Sequence, residues 1–238
     1  DLTMVEMMLL LVLVLRIGHA EGLLPNVILA GDEAQTVRPT DFQWVWLNDL
    51  VTTVLGEHLA GRDDVVMSSN LRSPGAVAAV VEGSRLQYQL LPKELRPSGL
   101  SSTTIPEGDG GRVIYCRAED EAEWLDLARF FSEQPDAQLV FPGHDVPGDL
   151  VGDGIDIATS EQVKGLDYRT VGLVDAGRRH REIASLAGEV SSNPVLGLWA
   201  RTIADQFRVG VSRAKETLVF LDRGPDDFTD DIRELCGQ

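Results

Sequence analysis

Four short polar clusters carry the residue types that phosphate chemistry uses. They are Gly31-Asp32-Glu33-Ala34-Gln35, Asn70-Leu71-Arg72-Ser73, Thr159 to Asp167 (T-S-E-Q-V-K-G-L-D) and Val211-Ser212-Arg213-Ala214-Lys215. Guanidinium groups stay charged at any physiological pH and offer forked donors to phosphate oxygens, so Arg72 and Arg213 suit a site where negative charge develops. Gln35 supplies an amide that both donates and accepts. Taken singly these clusters are weak: a lone arginine is usually a surface ion-pair partner, and Lys164-Gly165 alone is a helix ending on a C-cap glycine.

Such residues need a scaffold to bring them together, and apolar runs alternate along the chain with amphipathic segments, the pattern of a mainly parallel sheet with helices on its faces. Strands are expected at Val27–Ala30, Val65–Met67, Arg112–Cys116, Ala137–Phe141, Asp156–Ala158, Thr170–Asp175 and Thr217–Asp222. Helical spacing runs through Leu47, Leu50, Val51, Val54 and Leu55, with Thr40 and Gln43 as a capping box before them. Ser73-Pro74 reads as an N-cap followed by a first-turn proline, and Asn193-Pro194 opens a long helix carrying Trp199, Ile203, Phe207 and Val211 towards a core. Trp124, Leu127, Ala128 and Phe131 mark another helix, and a last one is expected to run to Leu235. Residues 83–111 are rich in Gly, Pro and Ser without a clean period, an irregular insertion. A domain boundary is expected near residue 62, dividing 1–62 from 63–238. In open α/β sheets, ligand groups gather beyond the carboxyl ends of strands, and the four clusters fall there or at helix ends that face them.

Composition bounds the rest. The 238 residues are 43% apolar and 25% charged, an ordinary globular composition, with 21 basic and 38 acidic residues giving a net charge of −17. That balance excludes a broad basic surface for non-specific nucleic-acid binding, so any such contact is local. Cys116 and Cys236 fit neither a disulfide framework nor a zinc site, which implies free thiols and a reducing, cytoplasmic setting. The apolar run Met7–Leu15 falls short of the ~20 residues a membrane span needs, and its acidic flank and Arg16 argue against a cleaved leader; a buried helix is expected. His19, His58, His144 and His180 are scattered without metal spacing. Asp145, Asp149 and Asp153 lack the ligand order of a calcium loop and read as a solvated turn.

In their order and intervals the four clusters resemble motifs III, IV, V and VI of superfamily 1 helicases of the UvrD/Rep type, and the resemblance covers nearly the whole chain. It is carried by G-D-x-x-Q after an apolar run, N-x-R-S before a helix, K-G-L-D-Y, and S-R-A-K before a final strand. It implies a RecA-like α/β fold: a remnant of a first RecA-like domain over 1–62 and a complete second one over 63–238. It implies ATP with Mg²⁺ as cofactors and single-stranded DNA as partner, together with further polypeptide and no membrane. Gln35 would sense the γ-phosphate, and Arg72 and Arg213 would be presented to it. Lys164, Gly165 and Asp167 would lie along the nucleotide, with Asp167 near its sugar, and Asn70, Thr159 and Ser160 along nucleic acid. Asp32-Glu33-Ala34-Gln35 also admits alignment with motif II.

The departures are as informative. Glu161 stands where many relatives have histidine, and an acid there would repel phosphate. The interval from Arg72 to Thr159 is too short for a large accessory subdomain. No G-x-x-x-x-G-K-[ST] occurs, so the phosphate-cradling loop is missing from these residues and the chain alone is expected to be catalytically silent. No G-x-G-x-x-G follows a first strand, which disfavours an unrelated Rossmann-type enzyme. A RecA-like interaction module with an acidic surface for a protein partner is the alternative. Trp44 and Trp46 could stack on a base or pack in a core.

Overall fold

A computed structural model describes residues 2–21, 27–35, 43–56, 72–97, 105, 110–152, 154–190, 193–224 and 227–236. The expected strand at Val65–Met67, the boundary near residue 62, Thr40, His58 and Asn70 lie outside the described residues.

Five strands make one sheet: β1 (Arg112–Ala118), β2 (Ala137–Phe141), β3 (Ile157–Thr159), β4 (Tyr168–Val174) and β5 (Ala214–Arg223). Their spatial order is β1-β5-β4-β2-β3, and every pairing is parallel, as the alternation of apolar runs and helices implies. Because side chains alternate along a strand, each central strand feeds two cores. Val140, Val171, Leu173, Leu218 and Phe220 point to one face, where they meet Val77, Val80, Phe207, Val211 and Ile232. Leu139, Phe141, Val174, Val219 and Leu221 point to the other, against Trp124, Ala128 and Phe131.

The helices follow from this two-sided demand. The path from β1 to β2 runs across the sheet in one direction through α5 (Glu121–Ser132); the path from β4 back to β5 runs in the other through α6 (Ala176–Gly188) and α7 (Pro194–Val211). Right-handed crossovers in opposite directions place their helices on opposite faces, and that is where α5 and α7 lie. Asp120 caps α5 by accepting from the Glu123 N–H, and Asn193 caps α7 by accepting from the Val195 N–H, with Pro194 in the first turn.

Several expectations are corrected. Trp199 is 57% exposed rather than in the core, while Ile203, Phe207 and Val211 are buried. Spacing of four advances the helix by about 40° per step, so the outermost member of the series rotates off the buried face. Val27–Ala30 forms no strand, and Ile28 is 93% exposed: an apolar run becomes a strand only where a neighbour completes its ladder. Ser73 does not cap; α3 (Gly75–Gly83) starts after Pro74, and the Ser73 hydroxyl instead donates to the Ala214 carbonyl. Part of the expected irregular insertion is ordered, with α3 reaching Gly83, then α4 (Leu86–Gln89) and a 3-10 turn at Lys93–Leu95. Gln87, Tyr88 and Leu91 are buried there, so tertiary packing orders a stretch without helical period.

The amino-terminal apolar run is helical, α1 (Met4–Glu21), and packs Met7 and Leu11 on Leu47, Val51 and Leu55 of α2 (Trp44–Leu55). Only that face is buried; Val5, Leu9, Val12, Leu13 and Ile17 are exposed, so the expected buried helix is buried along one face alone. Among the described residues no helix is long and apolar enough to cross a membrane. A last helix, α8 (Thr229–Leu235), closes the chain on α3.

Candidate functional site

Residues from all four clusters meet at the amino ends of β4 and β5, the edge opposite to the one the strand-end rule indicates. The reason is local. Arg213 lies in the turn between α7 and β5, and Asp167 ends the turn that feeds β4; the two strands are adjacent, so the two residues are neighbours. The Tyr168 N–H donates to the Arg213 carbonyl at 3.0 Å, fixing that register. Gly165 allows the turn its shape, since its φ of +81° is one that side-chain-bearing residues avoid.

Arg72 reaches the same edge from the segment that leads into α3. The Arg72–Pro74 segment is held by the Ser73 bond to Ala214 and by Pro74 against Gly111, where φ is +84° and a Cβ would lie 2.4 Å from the proline ring. Arg72 Nε stands 3.5 Å from Asp167 Oδ1, and Lys215 Nζ stands 3.4 Å from the other oxygen of the same carboxylate. Lys215, on β5, was not among the site residues expected from the sequence, although it belongs to the S-R-A-K cluster.

Arg213 is the centre of the arrangement, only 1% exposed. Its Nη1 donates to the Leu166 carbonyl at 3.2 Å, its Nε to the Val209 carbonyl at 3.1 Å, and its Nη2 to the Ser212 hydroxyl at 2.8 Å. Nη2 also lies 3.5 Å from Gln35 Oε1. Burial, and then the positive field of Arg72, pull the Arg213 pKa below its ordinary value, while Asp167 and Asp32 push the other way. The two guanidiniums lie within each other's field, with the Asp167 carboxylate beside Arg72.

Gln35 ends a 3-10 turn, Glu33–Gln35. Asp32 builds that turn: its carboxylate accepts from the Ala34 N–H at 2.9 Å and from the Gln35 side-chain amide at 2.8 Å. Glu33 is buried and its carboxylate accepts the Trp44 N–H at the start of α2. Trp44 is half-buried and packs against the α1–α2 cluster, whereas Trp46 is exposed.

The residues expected along nucleic acid are placed differently. Thr159 and Ser160 sit at the carboxyl end of β3, across the sheet from Arg213. The Ser160 hydroxyl is fully buried and donates to the Gln206 carbonyl at 2.7 Å, which leaves it no surface for a ligand in this conformation. Thr159 exchanges bonds with Gln162, whose side chain accepts the Thr159 N–H at 2.8 Å. Glu161 faces His144 at 3.4 Å, so an imidazole stands beside its carboxylate although not at its position. Lys164 shares the turn with Gly165, on the Arg213 side.

Among the described residues no group of three or more His, Cys, Asp or Glu could hold a metal ion. Cys116 and Cys236 are free thiols, each raised in pKa by burial. Asp149 of the Asp-rich turn pairs with Arg223 at 2.9 Å.

No protein-family model matches the chain, and no curated protein matches it.

Proposed function

We propose that the chain is the carboxyl-terminal portion of an ATP-dependent DNA helicase or translocase, supplying guanidinium groups to the γ-phosphate of ATP and part of a track for single-stranded DNA. What supports this most directly is the gathering of Gln35, Arg72, Asp167, Arg213 and Lys215, drawn from four distant segments, at one edge of the sheet. A scaffold has no need of two arginines held within each other's field.

The residues present fit a nucleotide's phosphates and not its metal. In this reading Arg213 and Arg72 present charge to the phosphate oxygens as negative charge spreads over them, and Gln35 holds Arg213 in register and reads the terminal phosphate. Asp167 keeps Arg72 and Lys215 extended until the anion competes for them, and lies where a ribose hydroxyl would find an acceptor. Asp32 and Glu33 are spent on the Gln35 turn and on the α2 N-terminus, which supports the motif III alignment over the motif II one. The phosphate-cradling loop and the groups that hold Mg²⁺ belong to polypeptide outside these 238 residues. DNA contacts in this reading belong to the Thr159 end of the sheet, with Glu161 offset by His144.

A second reading, a RecA-like interaction module that turns over no nucleotide, is favoured by one observation: the Arg213 guanidinium is already satisfied by Leu166, Val209 and Ser212. One experiment separates the two. ATP hydrolysis is measured for the chain extended upstream to include a phosphate loop, with and without single-stranded DNA, beside its Arg72→Ala and Arg213→Ala variants. The motor reading expects DNA-stimulated turnover that falls by ~10³–10⁵ in either variant, or about 4–7 kcal/mol of barrier. Turnover indifferent to both arginines brings the module reading forward.

A further inference from the structure

The Gln35 turn is not held near Arg213 by its own sequence. It plugs into a socket on the far side of α7, and the socket is built around a buried charge pair. Asp205 is 2% exposed; its Oδ2 accepts from Arg201 Nε at 2.8 Å, one helical turn away, and its Oδ1 accepts from the Tyr88 hydroxyl at 2.6 Å. The Tyr88 ring lies under the guanidinium, 5.6 Å from its carbon. With Nε and one face of the guanidinium fixed, the other two nitrogens are aimed. Nη1 donates to the Leu95 carbonyl at 2.7 Å and Nη2 to the Glu33 carbonyl at 2.7 Å.

The consequence is geometric. Arg201 ties the Glu33 carbonyl to α7, the next residue, Ala34, is fully buried among Tyr88, Leu91, Ile203 and Ala204, and the residue after that is Gln35. Arg213 follows the end of the same helix, about three turns on. We propose that Arg201 is the positioning residue of the site: anchored by Asp205 and Tyr88, it seats the Glu33–Gln35 turn on α7 and thereby sets the distance from Gln35 to Arg213. A planar fork is required, because one side chain serves a carboxylate and two carbonyls of separate segments; an ammonium group has the charge without the fixed fork. Ala34 is the complementary requirement, since a larger side chain would not enter the socket. The effect on nucleotide rests on the function proposed above; the seating of the turn does not.

The test is amide hydrogen exchange on the 238-residue chain without nucleotide. In Arg201→Lys the amides of Ala34 and Gln35 are expected to exchange ~10-fold faster or more, while those of Val171 and Leu173 in the central strand keep wild-type protection. Ala34→Leu, with Arg201 intact, is expected to do the same from the other side and serves if Arg201→Lys fails to fold. Wild-type exchange at Gln35 in either folded variant overturns the proposal. ATP affinity is then measured, in the chain extended upstream to include a phosphate loop, for wild type, Arg201→Lys, Gln35→Ala and the double variant. If Arg201 acts through Gln35, Arg201→Lys weakens ATP but adds nothing in the Gln35→Ala background, whereas a merely structural residue gives additive losses and overturns the positioning role. If wild type binds no ATP, the nucleotide reading fails, and the exchange result alone decides whether Arg201 seats the turn.

Discussion

Nη2 of Arg213 lies 3.5 Å from Oε1 of Gln35, although 178 residues separate them in the chain. The contact is long for a hydrogen bond and is made by a guanidinium already engaged by two carbonyls and a hydroxyl. A weak bond to a group that has better ones is what a site needs if an incoming phosphate is to displace it.

Arg213 therefore has a structural and a ligand-facing share, and two variants separate them. Arg213→Ala takes the guanidinium donor from the Leu166 carbonyl, leaves the Val209 carbonyl with the Ser212 hydroxyl, and opens a void, and is expected to lower unfolding free energy by ~2–4 kcal/mol in urea titrations. Arg213→Lys retains charge and most volume, so its loss of stability is smaller. The motor reading expects both variants to lose ATP affinity equally; a lysine variant that binds ATP as well as wild type assigns the residue to structure alone.

Asp167 restrains the cations of the edge, being 3.5 Å from Arg72 and 3.4 Å from Lys215. Asp167→Asn removes the negative charge that stands beside both cations. Inorganic phosphate or ATP is expected to bind ~3–10-fold tighter in this variant at low salt, with the gain shrinking as ionic strength rises to physiological values. Weaker anion binding would mean that Asp167 contacts the ligand directly, as an acceptor for a sugar hydroxyl would.

How much of this was legible in the sequence depends on whether a feature is local. β2 was legible because Ala137–Phe141 is bounded by turns, and α7 because Asn193-Pro194 announces its start. The socket was not, although Arg201 and Asp205 stand one turn apart on an expected helix: their acceptors, Glu33 and Leu95, come from segments more than a hundred residues away. Nor was α6 foreseen, because Arg178, Arg179, Arg181 and Glu182 hide its apolar stripe, of which Ala176, Gly177 and Ile183 are buried. The sheet edge on which Arg213 sits was misjudged because the strand-end rule describes loops that follow strands, while Arg213 and Asp167 precede them.

Trp199 and Phe207 make the same point as a measurement. Both belong to one apolar series of α7, yet Trp199 is exposed and Phe207 is fully buried, with its ring stacked 6.5 Å from Phe220. Trp199→Ala is expected to change stability by no more than ~0.5 kcal/mol, and Phe207→Ala to cost ~3–5 kcal/mol, both by chemical denaturation. A large loss from Trp199→Ala would show that the exposed ring is covered by something in solution.

Asp222 gives the fold a pH dependence with a definite sign. Its Oδ1 accepts the Gly177 N–H at 2.9 Å, but its Oδ2 is buried with no hydrogen-bond partner among the described residues. Burial, reinforced by Asp175 and opposed by the Gly177 bond and Arg181, raises its pKa from 3.8 to about 6. The unfolded chain releases this proton near pH 4, so between about pH 4 and 6 the folded state binds more protons than the unfolded one, and stability falls as pH rises through that window. Ionised Asp222 thus opposes folding at neutral pH, by at most ~3 kcal/mol. Asp222→Asn keeps an acceptor for Gly177 and carries no charge. Unfolding free energies measured at pH 4 and pH 7 are expected to differ less in the variant than in wild type, with the variant the more stable at pH 7. Asp205, raised from 3.8 to about 7 first of all by burial, acts in the same direction over a wider window, with Arg201 and the Tyr88 hydroxyl opposing the shift. A wild-type chain whose pH dependence is unchanged by Asp222→Asn would mean that the carboxylate is paired in both ionisation states.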